Sequence, residues 1–238
     1  MQNHPLVIAH RGARKYVPEN TIPAMEQSAL LKADGVEFDV QMTRDGALVV
    51  CHNYLVDKTS NGHGRIADMT FQELRELDFG DGVKIPTVDE VLLAARNMRV
   101  INMEIKRPPV AVRREMVGKC VDAIRKFHLE KKIIVSSFDY PVIDEVKRIA
   151  PDIPCGLLYS VHHSGEKGMS RGRYIRQAVS HKAEYLHPTY NYALSPIYRL
   201  RCRLHHIGIN CWGITGDKEM RILTKLPVNA VITDCLVY

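Results

Sequence analysis

Two carboxylates stand two residues apart in the apolar run "VEFDV", Glu37 and Asp39, and a third, Glu104, lies in a similar run, "NMEIK", two residues before Lys106. Side chains alternate along a strand, so Glu37 and Asp39 point to one side, and Glu104 and Lys106 share a side on theirs. Acids that converge repel one another unless a cation lies between them. Three hard oxygen donors, with no histidine or cysteine among them, suit Mg²⁺ or Ca²⁺ better than zinc. Lys106 has two readings, a salt-bridge partner of the acids or a donor to a phosphate oxygen, and spacing does not choose between them.

Histidines supply a second half of the chemistry. His10 ends the run "LVIAH" and His52 follows "ALVVC". Two imidazoles, one accepting a proton while the other donates one, are the machinery for cleaving a P–O bond. Arg11 carries a permanent planar charge suited to a phosphate, with an ion pair to one of the acids as the competing reading. Most of the 11 histidines, including His4, His128, His162, His163, His181, His205 and His206, read as ordinary structural groups, and His63 and His187 are weak candidates. The "GHG" at 62–64 is no phosphate loop, and neither GxxxxGK nor GxGxxG occurs.

Positioning these residues falls to short apolar runs that alternate with longer amphipathic stretches, the pattern of βα units around a parallel sheet. Eight strands are expected, at Leu6 to His10, Gly35 to Val40, Val100 to Lys106, Lys132 to Phe138, Cys155 to Tyr159, Tyr185 to Pro188, Ile209 to Ile214 and Ala230 to Asp234. Helices are expected at Ile22 to Lys32, Val88 to Asn97, Ala111 to Phe127, Pro141 to Ile149, Arg173 to His181, Pro196 to His206 and Lys218 to Lys225. Asn20 or Thr21 can cap the first of these, and Pro23 fits its first turn. Several strands end on polar residues, which a closed (β/α)8 TIM barrel would gather at one face. The stretch between strand two and the next helix is too long for a plain loop. It contains a second hairpin strand, Ala47 to Cys51, and an excursion over residues 54–84, within which "MTFQEL" reads as a short capped helix.

With 238 residues, 45% of them hydrophobic, the chain is expected to be one α/β domain over residues 1–238. Its formal charge of +6 favours anionic partners in general. The basic residues are dispersed, apart from clusters such as Arg171, Arg173 and Arg176 or Arg199, Arg201 and Arg203, which read as solvated helix faces; without zinc-finger spacing or an RNP motif, nucleic acid is not expected. Six cysteines lie far apart, as reduced thiols of a cytoplasmic protein would. The first strand begins within six residues, leaving no room for a leader, and no apolar run is long enough to span a bilayer, so no membrane anchor is expected. Oligomeric state is not legible.

Taken in order, "AHRG", "PENT", "GVEFDVQMTRDGALVVCHN", "NMEIK", "VSSF" and "VNAVITD" resemble the glycerophosphodiester phosphodiesterases over almost the full chain. The resemblance implies a TIM barrel with a small insertion after strand two, and hydrolysis of a small glycerophosphodiester to sn-glycerol 3-phosphate and an alcohol. It implies one divalent cation, Mg²⁺ or Ca²⁺, on Glu37, Asp39 and Glu104, with His10 and His52 as the acid/base pair. Arg11 and Lys106 match the phosphate-contacting cations, Trp212 matches the aromatic residue on the seventh barrel strand, and Phe138 falls in the "SSF" motif. Two departures stand out: the usual His-Asp pair reads His52-Asn53, and the closing "TDxP" reads Thr233-Asp234-Cys235-Leu236. Three other readings remain: lysophospholipase D-like activity on lipids, a phospho-ligand-binding barrel without turnover, and a sugar-phosphate isomerase or aldolase, which would leave two histidines unexplained.

Overall fold

In the computed structural model, residues 4–160 and 171–236 are described, which leaves His162 and His163 outside. Among the described residues the apolar runs form nine strands, β1 (Leu6–Ala9), β2 (Gly35–Met42), β3 (Leu48–Val50), β4 (Val100–Ile105), β5 (Ile133–Ser137), β6 (Cys155–Tyr159), β7 (Tyr185–Pro188), β8 (Gly208–Ile214) and β9 (Ala230–Thr233). The amphipathic stretches form α1 (Ile22–Leu30), α2 (Phe71–Glu76), α3 (Val88–Ala95), α4 (Arg113–Lys126), α5 (Tyr140–Ile149), α6 (Arg171–Ser180), α7 (Tyr190–Ala193), α8 (Pro196–Leu204) and α9 (Asp217–Leu223).

Eight strands pair in the order β1-β9-β8-β7-β6-β5-β4-β2, and β1 pairs again with β2, which closes a parallel barrel. The connecting helices pack outside it, so the core lies between them and the strands, with Phe38, Ile101, Met103 and Val135 at 0% exposure. This is the expected TIM barrel. Strand β3 pairs antiparallel with the far end of β2, Val40 opposite Val50 and Met42 opposite Leu48, and leads the chain outside the barrel. The excursion that follows has a small core of its own, in which Val56, Ile66, Leu74 and Ile85 are fully buried. Its helix α2 starts with a reciprocal cap between Thr70 and Glu73, as "MTFQEL" suggested.

Four barrel strands end one residue earlier than the side-chain pattern indicates, while β2 runs on past the expected Val40 to Met42, where it pairs with β3. His10, Lys106, Phe138 and Asp234 each lie one residue past the last paired position of β1, β4, β5 and β9. Alternation of side chains continues for a residue after the pairing stops, so composition alone cannot locate that point. The short helix α7 was not expected; four residues carry too little periodicity to be seen.

Inside the barrel, Ile8, Val100, Ile134, Ala230 and Ile232 form an apolar layer. A polar layer accompanies it: Asn102 Nδ2 donates to Ser136 Oγ at 3.0 Å, and Asn210 Nδ2 meets His187 Nε2 at 3.0 Å. Gly156 makes room for that imidazole, since a Cβ there would lie 2.3 Å from His187 Nε2. Accepting from Asn210 requires the neutral ring, and complete burial holds the His187 pKa at about 3.

The folded state therefore resists protonating His187 while the unfolded chain does so near 6.5, so stability is full above that pH and falls below it, down to the folded value. Urea unfolding at about pH 7.5 and about pH 5 should show a loss of about 2 kcal/mol from this group, absent from His187→Gln. An unchanged pH slope in the variant would refute the assignment.

Candidate active site

Register brings the acids together. On β2 and β4, Glu37 lies opposite Asn102 and Asp39 opposite Glu104, so the inward-facing positions of adjacent strands coincide. One carboxylate oxygen from each of Glu37, Asp39 and Glu104 lies within 4.8 Å of the others, and all three residues are buried. Against these three acids stand two cations. Lys106 Nζ lies 2.9 Å from Glu104 Oε1 and 3.4 Å from Asp39 Oδ1. Arg11 donates its backbone N–H to Glu37 Oε2 at 2.8 Å, while its Nε stands 3.6 Å from Asp39 Oδ2. Both candidate phosphate contacts thus occupy the salt-bridge position that the sequence left as their alternative.

The imbalance shows in the acids' affinities for protons. Burial, then the charges of Asp39 and Glu104, push Glu37 well above the usual carboxylate range. Burial also raises Glu104, with Lys106 opposing. Burial acts the same way on Asp39, but Lys106, His52 and Arg11 outweigh it and hold that group at about 2. A buried, all-oxygen cluster of three carboxyl groups, crowded enough to drive one of them toward its protonated form, has the donor chemistry of a hard divalent ion.

The first loop is shaped around this cluster. Arg11 adopts a left-handed φ of 55° and Gly12 one of 73°, and a Cβ on Gly12 would lie 2.7 Å from that of Ala24. Thr21 caps α1 by accepting from the Ala24 N–H. Asn20 does other work: its Nδ2 donates to Asp39 Oδ2 at 2.9 Å and its Oδ1 accepts from the Asp39 N–H at 3.2 Å. Glu19 accepts from Arg11 at 2.9 Å and from Arg14 at 3.2 Å. The "PENT" segment is therefore a clamp on the acids and on Arg11 as well as the start of a helix.

His10 and His52 are each held through Nδ1, and among the described residues neither Nε2 has a hydrogen-bond partner. His10 Nδ1 lies 2.9 Å from Asp234 Oδ1, which Arg14 Nε also reaches at 2.8 Å. Burial opposes charge on Asp234, but His10 and Arg14 more than offset it and keep the carboxylate ionised below its usual range. His52 Nδ1 lies 3.1 Å from Asn53 Oδ1, so at the departure from His-Asp a neutral amide stands beside the imidazole. Gln41 fastens the segment by donating to the Cys51 and Asn53 carbonyls at 2.8 Å each. Burial, with help from Lys106 and Arg11, lowers the His52 pKa to about 4.

Phe138 meets Trp212 edge to face at 5.9 Å, and Trp212 Nε1 donates to the His187 carbonyl at 2.9 Å. A register shift between Cys211 and Ile214 bends β8 at this point. His63, exposed beside Asp57, and His187, deep in the barrel, stand apart from the acids. Asn20, Gln41, Glu19 and Asp234 were not among the expected site residues. Gln41 shared the two-residue spacing of Glu37 and Asp39, and Asp234 ended a strand, so both carried a signal.

A closed barrel with a buried carboxylate cluster, one histidine at the carboxyl end of β1 and another just past the hairpin strand β3 has the layout of a barrel enzyme. The model of the glycerophosphoryl diester phosphodiesterase family matches residues 10–236, and the chain belongs to that family; it is a phosphoric diester hydrolase. A glycerophosphodiester phosphodiesterase of Caldanaerobacter subterraneus subsp. tengcongensis is 36% identical over 237 residues, covering 96% of this chain and 93% of that protein. The glycerophosphodiester phosphodiesterase structure from Thermotoga maritima superposes with a TM-score of 0.80 at 28% identity, over 99% of this chain and 97% of its own. A Silicibacter pomeroyi structure shares the fold at a TM-score of 0.88 and 23% identity, over 98% and 91% of the two chains.

Asn20→Ala strips Asp39 of two buried hydrogen bonds. Denaturant unfolding should show a loss of about 1–3 kcal/mol, and wild-type stability in that variant would remove Asn20 from the clamp.

Proposed function

We propose that the chain hydrolyses glycerophosphodiesters to sn-glycerol 3-phosphate and an alcohol with one divalent cation, Mg²⁺ or Ca²⁺, held by Glu37, Asp39 and Glu104. The observation that carries this reading is the convergence of three buried carboxyl groups, with one oxygen from each lying within 4.8 Å of the others. Such an ion, when bound, neutralises the phosphodiester and polarises oxygens at phosphorus.

Arg11 and Lys106 hold the phosphoryl oxygens and counter the charge that builds on them. His52, neutral at physiological pH with Nε2 open, accepts the proton of the attacking oxygen. His10, backed by the Asp234 carboxylate, donates a proton from Nε2 to the leaving alkoxide as the P–O bond breaks, and the two protonation states are then restored through solvent. Asn53 and Asp234 are positioning residues that fix which ring nitrogen faces the substrate. Phe138 and Trp212 form an apolar wall for the organic part of the diester. One barrel domain, with its excursion after β2, carries the whole site, and six unpaired buried thiols support a cytoplasmic location. Family membership does not favour the lysophospholipase D-like reading or a barrel without turnover.

Glycerol 3-phosphate released from glycerophosphocholine should require Mg²⁺ or Ca²⁺ and disappear in EDTA. His10→Ala and His52→Ala should each lower kcat by roughly 10²- to 10⁴-fold with little change in melting temperature. Release no greater than in His10→Ala, whatever the metal, would refute the proposal.

A further inference from the structure

The chain's charge is not spread evenly. Residues 171–216 hold seven lysines and arginines against one acid, Glu184, an excess of six that equals the net +6 of the whole chain. The rest of the sequence is balanced. This segment supplies α6 and α8, which pack against each other on the outside of the barrel.

Both helices turn one side to the core. Tyr174, Ile175 and Ala178 of α6 and Tyr198 and Cys202 of α8 are buried. Outward from α8 project Ile197, Leu200 and Leu204, at 66%, 56% and 69% exposure, spaced three and four residues apart along one face. Arg201 and Arg203 lie beside that row, and α6 adds exposed Arg173, Arg176 and Val179. None of these four arginines forms an ion pair with a described residue. Several cations elsewhere on the barrel are paired, such as Lys119 with Glu115, Arg125 with Asp152 and Lys126 with Asp89.

We propose that the α6–α8 face docks reversibly on an anionic lipid surface. A row of bare aliphatic side chains flanked by arginines is the arrangement of a helix that lies in the plane of a membrane interface, its apolar side among acyl chains and its cations at the headgroups. A second copy of the chain would set like charge against like. Nucleic acid would leave the leucines and isoleucine in contact with phosphates, with no aromatic ring among the outward side chains of α8 to stack on a base. Among the described residues no helix is long and apolar enough to cross a membrane, and the proposed docking is peripheral. α8 enters from the carboxyl end of β7, the end at which the candidate site opens. Glycerophosphodiesters form when phospholipids lose their acyl chains by ester hydrolysis, so the reaction that supplies this substrate class takes place at the surface to which the protein docks.

Co-sedimentation of the full chain with vesicles tests this. It should partition onto phosphatidylglycerol/phosphatidylcholine vesicles at about 50 mM salt, be released at about 500 mM, and ignore pure phosphatidylcholine. Arg201→Gln with Arg203→Gln should weaken partitioning about 25-fold, at about fivefold per cation, and Leu200→Ser with Leu204→Ser should weaken it as well. Both pairs should keep the wild-type melting temperature and hydrolysis of soluble glycerophosphocholine. Equal binding to neutral vesicles, no binding to either kind, variants that bind as wild type, or tighter binding to duplex DNA than to anionic vesicles would each overturn the proposal. Because the readout is partitioning, its failure is separate from failure of the hydrolytic reading.

Discussion

Three carboxylates buried within reach of one ion, opposed by only two cations, create a charge problem inside the protein that the surrounding structure is arranged to hold. A buried charge left without its partner costs several kcal/mol, so every neighbour of Glu37, Asp39 and Glu104 is committed. Lys106 stands beside Asp39 and Glu104, Arg11 turns its backbone N–H to Glu37, and Asn20 grips Asp39 from two directions. The left-handed turn at Arg11 and Gly12 exists to aim that N–H, and α1 packs too closely on it to admit a Cβ.

From this cluster the orientation of the histidines follows. Gln41 continues the inward line of Glu37 and Asp39 and ties down the segment that carries His52. On the opposite side, Arg14 bridges Glu19, which supports Arg11, to Asp234, which supports His10. Acid cluster, cations and both imidazoles thus belong to one connected set of hydrogen bonds and charges. Its two histidines are held asymmetrically, one beside a carboxylate and the other beside an amide.

Much of this was legible in advance. The βα alternation gave each barrel strand, the hairpin strand and the capped helix of the excursion, because period-two and period-3.6 patterns survive whatever the tertiary context. Glu37, Asp39 and Glu104 were legible because two strands place side chains at fixed spacing and the chain offered few other inward acids. What escaped were the residues that serve by reaching across the sequence. Asn20 looked like a helix cap, since Asn and Thr are both favoured capping types and only backbone conformation and side-chain direction separate them. The arginine clusters of α6 and α8 looked like separate solvated faces until the packing of the two helices put them on one surface.

The sequence by itself determined the order of elements, the types of chemical group available and the strand ends on which they sit, because these depend on residue identity and local periodicity. Tertiary structure alone decided which groups meet. The 4.8 Å acid cluster depends on the pairing of β2 with β4, and the His10–Asp234 contact joins residues 224 positions apart through the closure of β1 on β9. Those distances follow from barrel closure, a property of all eight strands together that no window of residues contains.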